Sequence, residues 1–169
     1  PTTSPQPPTT TPAVMPTPFI QPTSVPAPTL ASTRIALSTP SPEPTTRIIF
    51  TGDIIPGRCV AKALIAADDF TLPYHYVANV LRNADITVGS LDGSITDRAA
   101  PIVNCISSMN LIGPSRTVEG LDYAGFDLIT VATNHIKDCG LAGCGDEALF
   151  DTQYHLNRFG IKSVGGGKN

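Results

Sequence analysis

The sequence predicts an α/β fold in which parallel strands alternate with helices that flank the sheet. From residue 47 onward, four short runs of β-branched and apolar residues are separated by segments of helical composition. Such alternation favours parallel strands joined by right-handed crossovers. Polar residues follow three of these runs. Because ligands bind beyond the carboxyl ends of parallel strands, these residues are the first candidates for a functional site.

Residues 1–46 are predicted to be a linker. Most of the 17 prolines lie there, among threonines and serines. Proline fixes φ and removes a backbone donor, so the segment should be extended and rich in polyproline II. Its composition is typical of a stalk that holds a domain away from a bacterial surface, and an intracellular interdomain linker is the alternative. The chain begins at Pro1 and ends in a glycine-rich turn, so we expect a fragment.

One strand and two helices are predicted in residues 47–84. Residues 47–52 form a short apolar run that ends in Gly-Asp, which indicates a buried strand. Residues 59–67 have helical composition. Residues 73–84 predict a second helix, since Pro73 suits a first turn. The apolar face of this second helix would carry Tyr76, Val77, Val80 and Leu81.

The remaining elements continue the alternation. They are a strand at 85–89, a helix at 115–124, a strand at 127–132, a helix at 146–159 and a strand at 161–164. Gly125 and Gly160 follow the two helices as C-terminal caps. The inner side of the last helix is predicted to comprise Leu149, Phe150, Gln153, Tyr154 and Leu156.

Charge and hydropathy argue against two classes of partner. The net charge is −3 and there is no basic patch, so nucleic acid is not an expected partner. No run of about 18 apolar residues occurs, so no membrane span is predicted in this sequence.

The four cysteines indicate disulfides if the domain is exported. No C-x-x-C pair occurs, which argues against a zinc ribbon or a thioredoxin-type site. Cys139 and Cys144 enclose a short glycine-containing loop and are one candidate pair. Cys59 and Cys105 could then form a second bridge. Reduced cysteines in the core are the alternative.

Three strand ends carry similar polar residues. Asp53 follows the first strand, Asp92 the second, and Asn134 with His135 the third. Carboxylate, amide and imidazole groups are ligands for Mn²⁺, Mg²⁺, Fe or Zn²⁺, and a histidine can instead transfer a proton. Taken singly, Asp53 could be a helix cap, Asp92 a turn residue, and Asn134 with His135 a capping pair. Their recurrence at one edge favours a metal or catalytic site.

Four motifs resemble one protein family. They are IFTGDIIPGR (residues 49–58), ADITVGSLDG (84–93), AGFDLITVATNHIKD (124–138) and GIKSVGGGKN (160–169). Together they resemble the bacterial capsule synthesis proteins called CapA or PgsA. The resemblance covers residues 47–169 and implies the N-terminal portion of a longer domain. The family is similar to calcineurin-like metallophosphoesterases, which implies an α/β/β/α sandwich around a two-metal site.

The resemblance implies a role for several residues. Asp53 matches the first metal aspartate, and Asn134 matches a metal-binding asparagine. His135 matches a histidine that protonates a leaving oxygen. Asp138 would orient His135 or cap the next turn. Arg58 would meet a phosphate or carboxylate, with a solvated surface arginine as the alternative.

Two departures from the family pattern are expected to matter. Ser90-Leu91-Asp92 stands in place of Asn-Leu-Glu, and Asp92 is one methylene shorter than glutamate, so its carboxylate is expected to reach less far towards a metal. Metallophosphoesterases also take histidine ligands from later strands. His75 and His155 lie in predicted helices and are poor substitutes.

The resemblance also implies a setting. Capsule proteins of this kind act in poly-γ-glutamate production and export, so the expected location is the extracytoplasmic cell surface, with a membrane tether upstream. The expected partners are an anionic capsular polymer or a phosphoester substrate, and membrane-bound capsule synthesis proteins. Two functions stay open: a metal-dependent phosphoesterase-like hydrolase, and a non-catalytic assembly or export component that keeps a vestigial metal site.

Overall fold

The structure is a computed structural model that describes residues 43–101, 103, 105 and 110–167. Its strands are β1 (Ile48–Ile54), β2 (Ile86–Leu91), β3 (Ser94–Ile95), β4 (Ile112–Gly113), β5 (Leu128–Thr130) and β6 (Lys162–Val164). Its helices are α1 (Arg58–Ala67), α2 (Ala78–Arg82), α3 (Thr117–Ala124) and α4 (Glu147–Arg158), and a 3-10 turn spans Leu72–Tyr74. Most of the predicted linker lies outside the described residues.

The four predicted strands form one parallel sheet, as expected for the α/β class. Its strand order is β1-β2-β5-β6, and each strand pairs in parallel with its neighbour. Val88 of β2 lies opposite both Phe50 of β1 and Leu128 of β5. The strands therefore end at a common edge, where the polar residues of the sequence follow them. The two-sheet sandwich that the resemblance implies stays a prediction.

The topology places the helices on one face of this sheet. Every crossover in it leads to the next strand in the same direction, and right-handed crossovers of that kind keep their helices on one side. The core between sheet and helices includes Leu81, Leu91, Val118, Leu121, Phe126, Ile129, Leu149 and Leu156. On the opposite face, Ile48, Phe50 and Ile86 are exposed, Phe50 by 73%.

A β-bulge in β1 decides which way Asp53 points. Phe50 pairs with Val88, but Asp53 pairs with Ser90, so β1 has one residue more than β2 between the two pairs. Side chains alternate between the faces of a strand, so without the bulge Phe50 and Asp53 would lie on opposite faces. With it, they share the face that is turned away from the helices.

The prediction of one continuous helix over residues 73–84 is wrong. The structure has the 3-10 turn at Leu72–Tyr74 and only five residues of α helix in α2. Successive i to i+3 hydrogen bonds join the segment, from Tyr74 N–H to Thr71, from Val77 N–H to Tyr74 and from Val80 N–H to Val77. Three residues per turn rotate the side chains away from the 3.6-residue stripe. Tyr76 is therefore 98% exposed, and Leu81 is buried.

A second, two-stranded parallel sheet of β3 and β4 lies beyond β2 and was not predicted. Strands of two residues carry no readable periodicity. Thr152 of α4 binds this sheet: its Oγ1 accepts a hydrogen bond from Ile95 N–H at 2.9 Å and donates one to the Ala148 carbonyl at 2.7 Å. The buried side of α4 is therefore Ala148, Leu149, Thr152 and Leu156, and the predicted inner residue Tyr154 is exposed.

Two disulfides join the four cysteines in the predicted pairs. Cys59, at the start of α1, is bonded to Cys105, with a Cα–Cα distance of 4.6 Å. Cys139 is bonded to Cys144, with a Cα–Cα distance of 5.6 Å. Among the described residues, no helix combines the length and the apolar character that a membrane span requires.

Candidate functional site

Three strands place side chains in a row at the carboxyl edge of the sheet. Asp53 of β1 is the register partner of Ser90 in β2, and Ser90 is the partner of Thr130 in β5. Partners on neighbouring parallel strands point to the same face, about 4.8 Å apart from strand to strand. The row therefore combines one carboxylate with two hydroxyl groups, on the face that the bulge in β1 selects. Asp53 is exposed, and Ser90 and Thr130 are half-buried.

Asp92 lies directly beyond this row. Its backbone N–H donates a hydrogen bond of 3.0 Å to the carbonyl oxygen of Ile54, which prolongs the pairing of β1 and β2 past the strand end. The chain then turns at Gly93, where a Cβ atom would overlap the carbonyl oxygen of Leu111. Only glycine fits this approach. The turn leaves Asp92 half-buried at the sheet edge, two residues after Ser90.

Asn134 and His135 lie further from the sheet than predicted. The third strand was expected to run to residue 132, but β5 ends at Thr130, and both residues belong to a turn that follows it. Asn134 is exposed. The side chain of His135 is only 13% exposed. The turn, and not the strand, therefore sets the position of the imidazole.

Asp138 holds the imidazole of His135. Its Oδ2 atom lies 2.8 Å from His135 Nδ1 and also accepts a hydrogen bond from Leu111 N–H at 2.6 Å. Its backbone N–H donates to the His135 carbonyl at 3.0 Å, and its own carbonyl accepts a hydrogen bond from Ser94 Oγ. A carboxylate accepts only, so His135 Nδ1 carries the hydrogen. In the neutral imidazole, Nε2 is then the basic nitrogen.

A cross-linked loop follows this pair. Cys139 is the residue after Asp138, and its bond to Cys144 closes the loop. Lys137 Nζ forms an ion pair with Asp146 Oδ1 at 2.5 Å, across the same loop. In sequence, the Lys137–Asp146 ion pair encloses the Cys139–Cys144 bond, so both links restrict the chain immediately after His135.

Arg58 adopts an unusual backbone conformation. Its φ angle is +55°, in the left-handed region, at the first residue of α1. Such a conformation costs a residue other than glycine about 1 kcal/mol or more and is common near functional sites. Arg58 is half-buried, and Cys59 beside it is tied to Cys105. The predicted contact of Arg58 with a phosphate or carboxylate stays a prediction.

The edge offers oxygen donors for a metal, but an incomplete set of them. Asp53 and Asp92 supply carboxylates and Asn134 an amide oxygen, which are the donors that hard divalent ions prefer. Within residues 43–101, 103, 105 and 110–167, no three His, Cys, Asp or Glu side chains are grouped so that they could hold an ion. The donor types therefore suit a divalent metal, but the described residues do not form a complete set of ligands.

Sequence reasoning missed several members of this site. From the sequence, Thr130 is a strand residue without a role, and Ser90 is only a departure from the family pattern. The bulge that aligns both with Asp53 is a property of the pairing of β1 with β2. Leu111 N–H and Ser94 Oγ, which bind Asp138, come from the small sheet of β3 and β4 that was not predicted.

Comparison with known proteins gives the family. No curated protein matches the sequence significantly. The family described as "Bacterial capsule synthesis protein PGA_cap" matches residues 47–169, which include every element of the sheet and the whole candidate site. The chain belongs to this family of bacterial capsule synthesis proteins.

Proposed function

We propose that this protein acts outside the cytoplasm, at the bacterial cell surface, in the production or export of poly-γ-glutamate or another capsular polymer. Family membership supports a role in capsule synthesis. Two disulfides support the location, because such bonds persist in oxidising compartments. A proline-rich stalk and a membrane tether upstream complete the proposed arrangement. The proposed partners are the anionic polymer and membrane-bound capsule synthesis proteins.

We further propose a metal-dependent phosphoesterase activity at the carboxyl edge of the sheet. The observation that carries this proposal is the register of Asp53 with Ser90, which brings the end of β1 beside the chain that leads to Asp92. Asp53, Asp92 and Asn134 would hold one or two ions of Mn²⁺, Mg²⁺, Fe or Zn²⁺. A bound ion of this kind polarises a phosphoryl oxygen and makes water a better nucleophile.

His135 would supply the proton for the leaving oxygen. Its Nδ1–H is engaged by Asp138 at 2.8 Å, so proton exchange with a substrate falls to Nε2. Asp138 acts as a positioning residue, because it fixes the tautomer and the ring orientation through one short contact. Arg58 would bind the charge of the phosphoester or of a polymer carboxylate.

The test measures metal and catalysis separately. The chain is loaded with Mn²⁺, bound metal is quantified, and hydrolysis of bis(4-nitrophenyl) phosphate is followed. Asp53→Ala should lower both bound metal and rate, and His135→Ala should lower the rate at least tenfold and leave bound metal unchanged. Asp122→Ala, which removes an exposed carboxylate from α3, is the matched control. The metal site is disproved if neither Asp53→Ala nor His135→Ala alters either signal.

A second function is favoured by the side chain at position 92. Asp92 is half-buried and one methylene shorter than the glutamate of the family pattern, which limits its reach to an ion. The protein would then be a non-catalytic component that binds the anionic polymer during assembly or export. Co-sedimentation with poly-γ-glutamate, in the absence of hydrolysis by metal-loaded protein, would distinguish this function from the first.

The location has its own test. Protein taken from the native cell surface is denatured without reductant and its thiols are counted. The proposal expects no free thiol, since all four cysteines are bonded. Four free thiols in that material would count against export.

A further inference from the structure

Ser94 of β3 is a buried serine whose hydroxyl group reaches the candidate site. The residue is 0% exposed, and its Oγ donates a hydrogen bond to the main-chain carbonyl oxygen of Asp138, a residue 44 positions later in the sequence. A buried hydroxyl group is normally hydrogen-bonded, and its partner shows which part of the chain it holds in place. Here the partner is the residue whose carboxylate binds the imidazole of His135.

Three hydrogen bonds join Ser94, Leu111 and Asp138 in a closed ring. Besides the bond from the hydroxyl group, Ser94 N–H donates to the Leu111 carbonyl at 2.9 Å. Leu111 N–H in turn donates to Asp138 Oδ2 at 2.6 Å. Leu111 is only 2% exposed, and buried polar groups that bind one another make their surroundings rigid. Asp138 is therefore held at its main-chain carbonyl and at its carboxylate by neighbouring strands of the small sheet.

The two ends of Asp138 have different partners in the candidate site. Oδ2 lies 2.8 Å from His135 Nδ1, and the Asp138 N–H donates to the His135 carbonyl at 3.0 Å. Both of these contacts lie within the turn that follows β5. The bond from Ser94, by contrast, joins the main chain of Asp138 to a different element. It therefore ties the turn that carries the imidazole to the small sheet.

Ser94 also lies two residues after Asp92, the proposed metal ligand. The turn between them is tight, because a Cβ atom on Gly93 would overlap the carbonyl oxygen of Leu111. One short segment thus carries both a carboxylate of the sheet edge and the hydroxyl group that binds Asp138. The hydrogen bond of Ser94 consequently connects the two parts of the candidate site, the carboxylate edge and the imidazole.

We propose that Ser94 is a positioning residue for His135. Its hydroxyl group holds Asp138 where the carboxylate binds Nδ1–H, so the neutral imidazole keeps its lone pair on Nε2 and keeps its place beside Asp92. The effect of Ser94 on catalysis rests on the proposed hydrolytic function, in which His135 gives a proton to the leaving oxygen. Its effect on the tautomer of the imidazole does not.

Two variants that each remove a hydroxyl group bound to the small sheet or its partners test the inference on the full chain. Ser94→Ala removes the bond to Asp138. Thr152→Val removes the bond of 2.9 Å from Ile95 N–H, which does not involve Asp138, and is the matched control. Nitrogen NMR of the neutral imidazole, assigned by comparison with His135→Gln, reports the tautomer of His135.

Wild type and Thr152→Val should both show the tautomer with hydrogen on Nδ1. In Ser94→Ala, the other tautomer should rise to about a tenth of the molecules or more. Hydrolysis of bis(4-nitrophenyl) phosphate by Mn²⁺-loaded protein is the second readout. A displaced imidazole affects the step after binding, so Ser94→Ala should lower kcat about tenfold and leave KM within about twofold.

Folding of each variant is checked by its thermal unfolding transition, and Ser94→Gly removes the same hydroxyl group if Ser94→Ala does not fold. The inference is overturned if loss of the hydroxyl group leaves the tautomer ratio unchanged. It is also overturned if Thr152→Val changes that ratio equally, because general loosening of the small sheet would then explain both results.

The two readouts also separate this inference from the function on which part of it rests. A changed tautomer in Ser94→Ala, together with no metal-dependent hydrolysis by the wild type, would uphold the positioning of the imidazole and reject the hydrolytic function. A changed tautomer with an unchanged kcat, in a protein that does hydrolyse the phosphodiester, would reject the part of Ser94 in catalysis.

Discussion

A single oxygen of Asp138 binds both the His135 imidazole and the Leu111 backbone. Oδ2 lies 2.8 Å from His135 Nδ1 and 2.6 Å from Leu111 N. The first donor belongs to the turn after β5, and the second lies next to β4. Asp138 therefore joins the candidate site to the small sheet. The side chains of both His135 and Asp138 are mostly buried, at 13% and 17% exposure.

Removal of this carboxylate should destabilise the protein. Asp138→Ala leaves the buried Leu111 N–H and His135 Nδ1–H without an acceptor, so we expect a loss of about 2–3 kcal/mol in the free energy of unfolding. Asp138→Asn is the matched control, because its amide oxygen can still accept both hydrogen bonds. Urea denaturation of the two variants and the wild type measures the difference.

The comparison has a clear contrary outcome. The free energy of unfolding of Asp138→Ala could lie within about 0.5 kcal/mol of the wild-type value, as is usual for substitutions at uninvolved surface sites. That result would show that the carboxylate does not join the turn after β5 to the segment before β4 in solution. If Asp138→Asn is as unstable as Asp138→Ala, the negative charge and not the acceptor is what the site requires.

Two buried threonines should respond in opposite ways to the same substitution. Thr152 is fully buried, and its Oγ1 accepts a hydrogen bond from Ile95 N–H at 2.9 Å. Thr152→Val leaves that N–H without an acceptor and should lower the free energy of unfolding by about 1–3 kcal/mol. Thr117→Val removes a hydroxyl that has no partner in the described part of the chain, so it should be neutral or stabilising.

Thermal and urea unfolding of both valine variants measure this contrast. The two substitutions have the same shape change, so differences in packing largely cancel. Equal losses of stability in Thr152→Val and Thr117→Val would show that the Thr152 hydroxyl does not support the small sheet.

The sheet could be predicted because its strands carry their signal locally. The four β-branched runs of the sequence form the four strands of one parallel sheet. Their alternation with helical segments predicts the α/β class. The turn at Leu72–Tyr74 could not be predicted in this way. The residues after it, Tyr76, Val77, Val80 and Leu81, match a 3.6-residue stripe in the sequence. Only the backbone bonds from i to i+3 distinguish the segment from a continuous helix. β3 and β4 were missed because two residues are too few for a period.

The candidate site was predictable in its residue types and not in its geometry. Gly-Asp and Asn-His after strands are candidate ligand positions, because ligands of parallel sheets bind beyond the carboxyl ends of the strands. The orientation of Asp53, however, depends on the bulge between Phe50 and Asp53, which is a property of the pairing with β2. The partners of Asp138 come from elements that are distant in sequence, such as Leu111, and so no local pattern reveals them.

The two disulfides should contribute unequally to stability. In the chain-entropy model, stabilisation grows with the length of the closed loop, and cysteine separations of 46 and 5 residues correspond to about 4 and about 2 kcal/mol. Replacement of Cys59 and Cys105 together by alanine should therefore cost more than replacement of Cys139 and Cys144. Each pair is removed as a whole, so that no free thiol remains to form mixed bonds.

Urea unfolding of the two double variants, under non-reducing conditions, gives the comparison. The proposed hydrolytic activity, measured on a phosphodiester with the same variants, separates stability from function. The variant without the Cys139–Cys144 bond should lose more activity per unit of stability lost, because that bond adjoins Asp138. If this smaller loop proves the more stabilising of the two, loop entropy does not govern either contribution.

Asp151 should make the stability of the protein depend on acid pH. Burial raises the pKa of Asp151, but hydrogen bonds from Arg98 and Thr96 outweigh it, so the pKa lies below the ordinary value. The contacts are 2.7 Å from Arg98 Nε and 2.6 Å from Thr96 Oγ1. A carboxyl group with a lowered pKa stabilises the fold above its unfolded pKa of about 3.9, and this contribution is lost as the pH falls through the folded value.

The measurement compares wild type with Asp151→Asn across pH. Half of the Arg98 side chain is exposed, so solvent partly screens its ion pair with Asp151. We therefore expect Asp151→Asn to lower the free energy of unfolding by only about 1 kcal/mol at pH 7. This difference in the free energy of unfolding between wild type and variant should become smaller between about pH 4 and pH 2, where the wild-type carboxylate takes up its proton. Urea unfolding at pH 7, 4, 3 and 2 follows the difference, in which the acid effects common to both proteins cancel. A gap that stays constant over this range would show that the ionised form of Asp151 contributes nothing to stability.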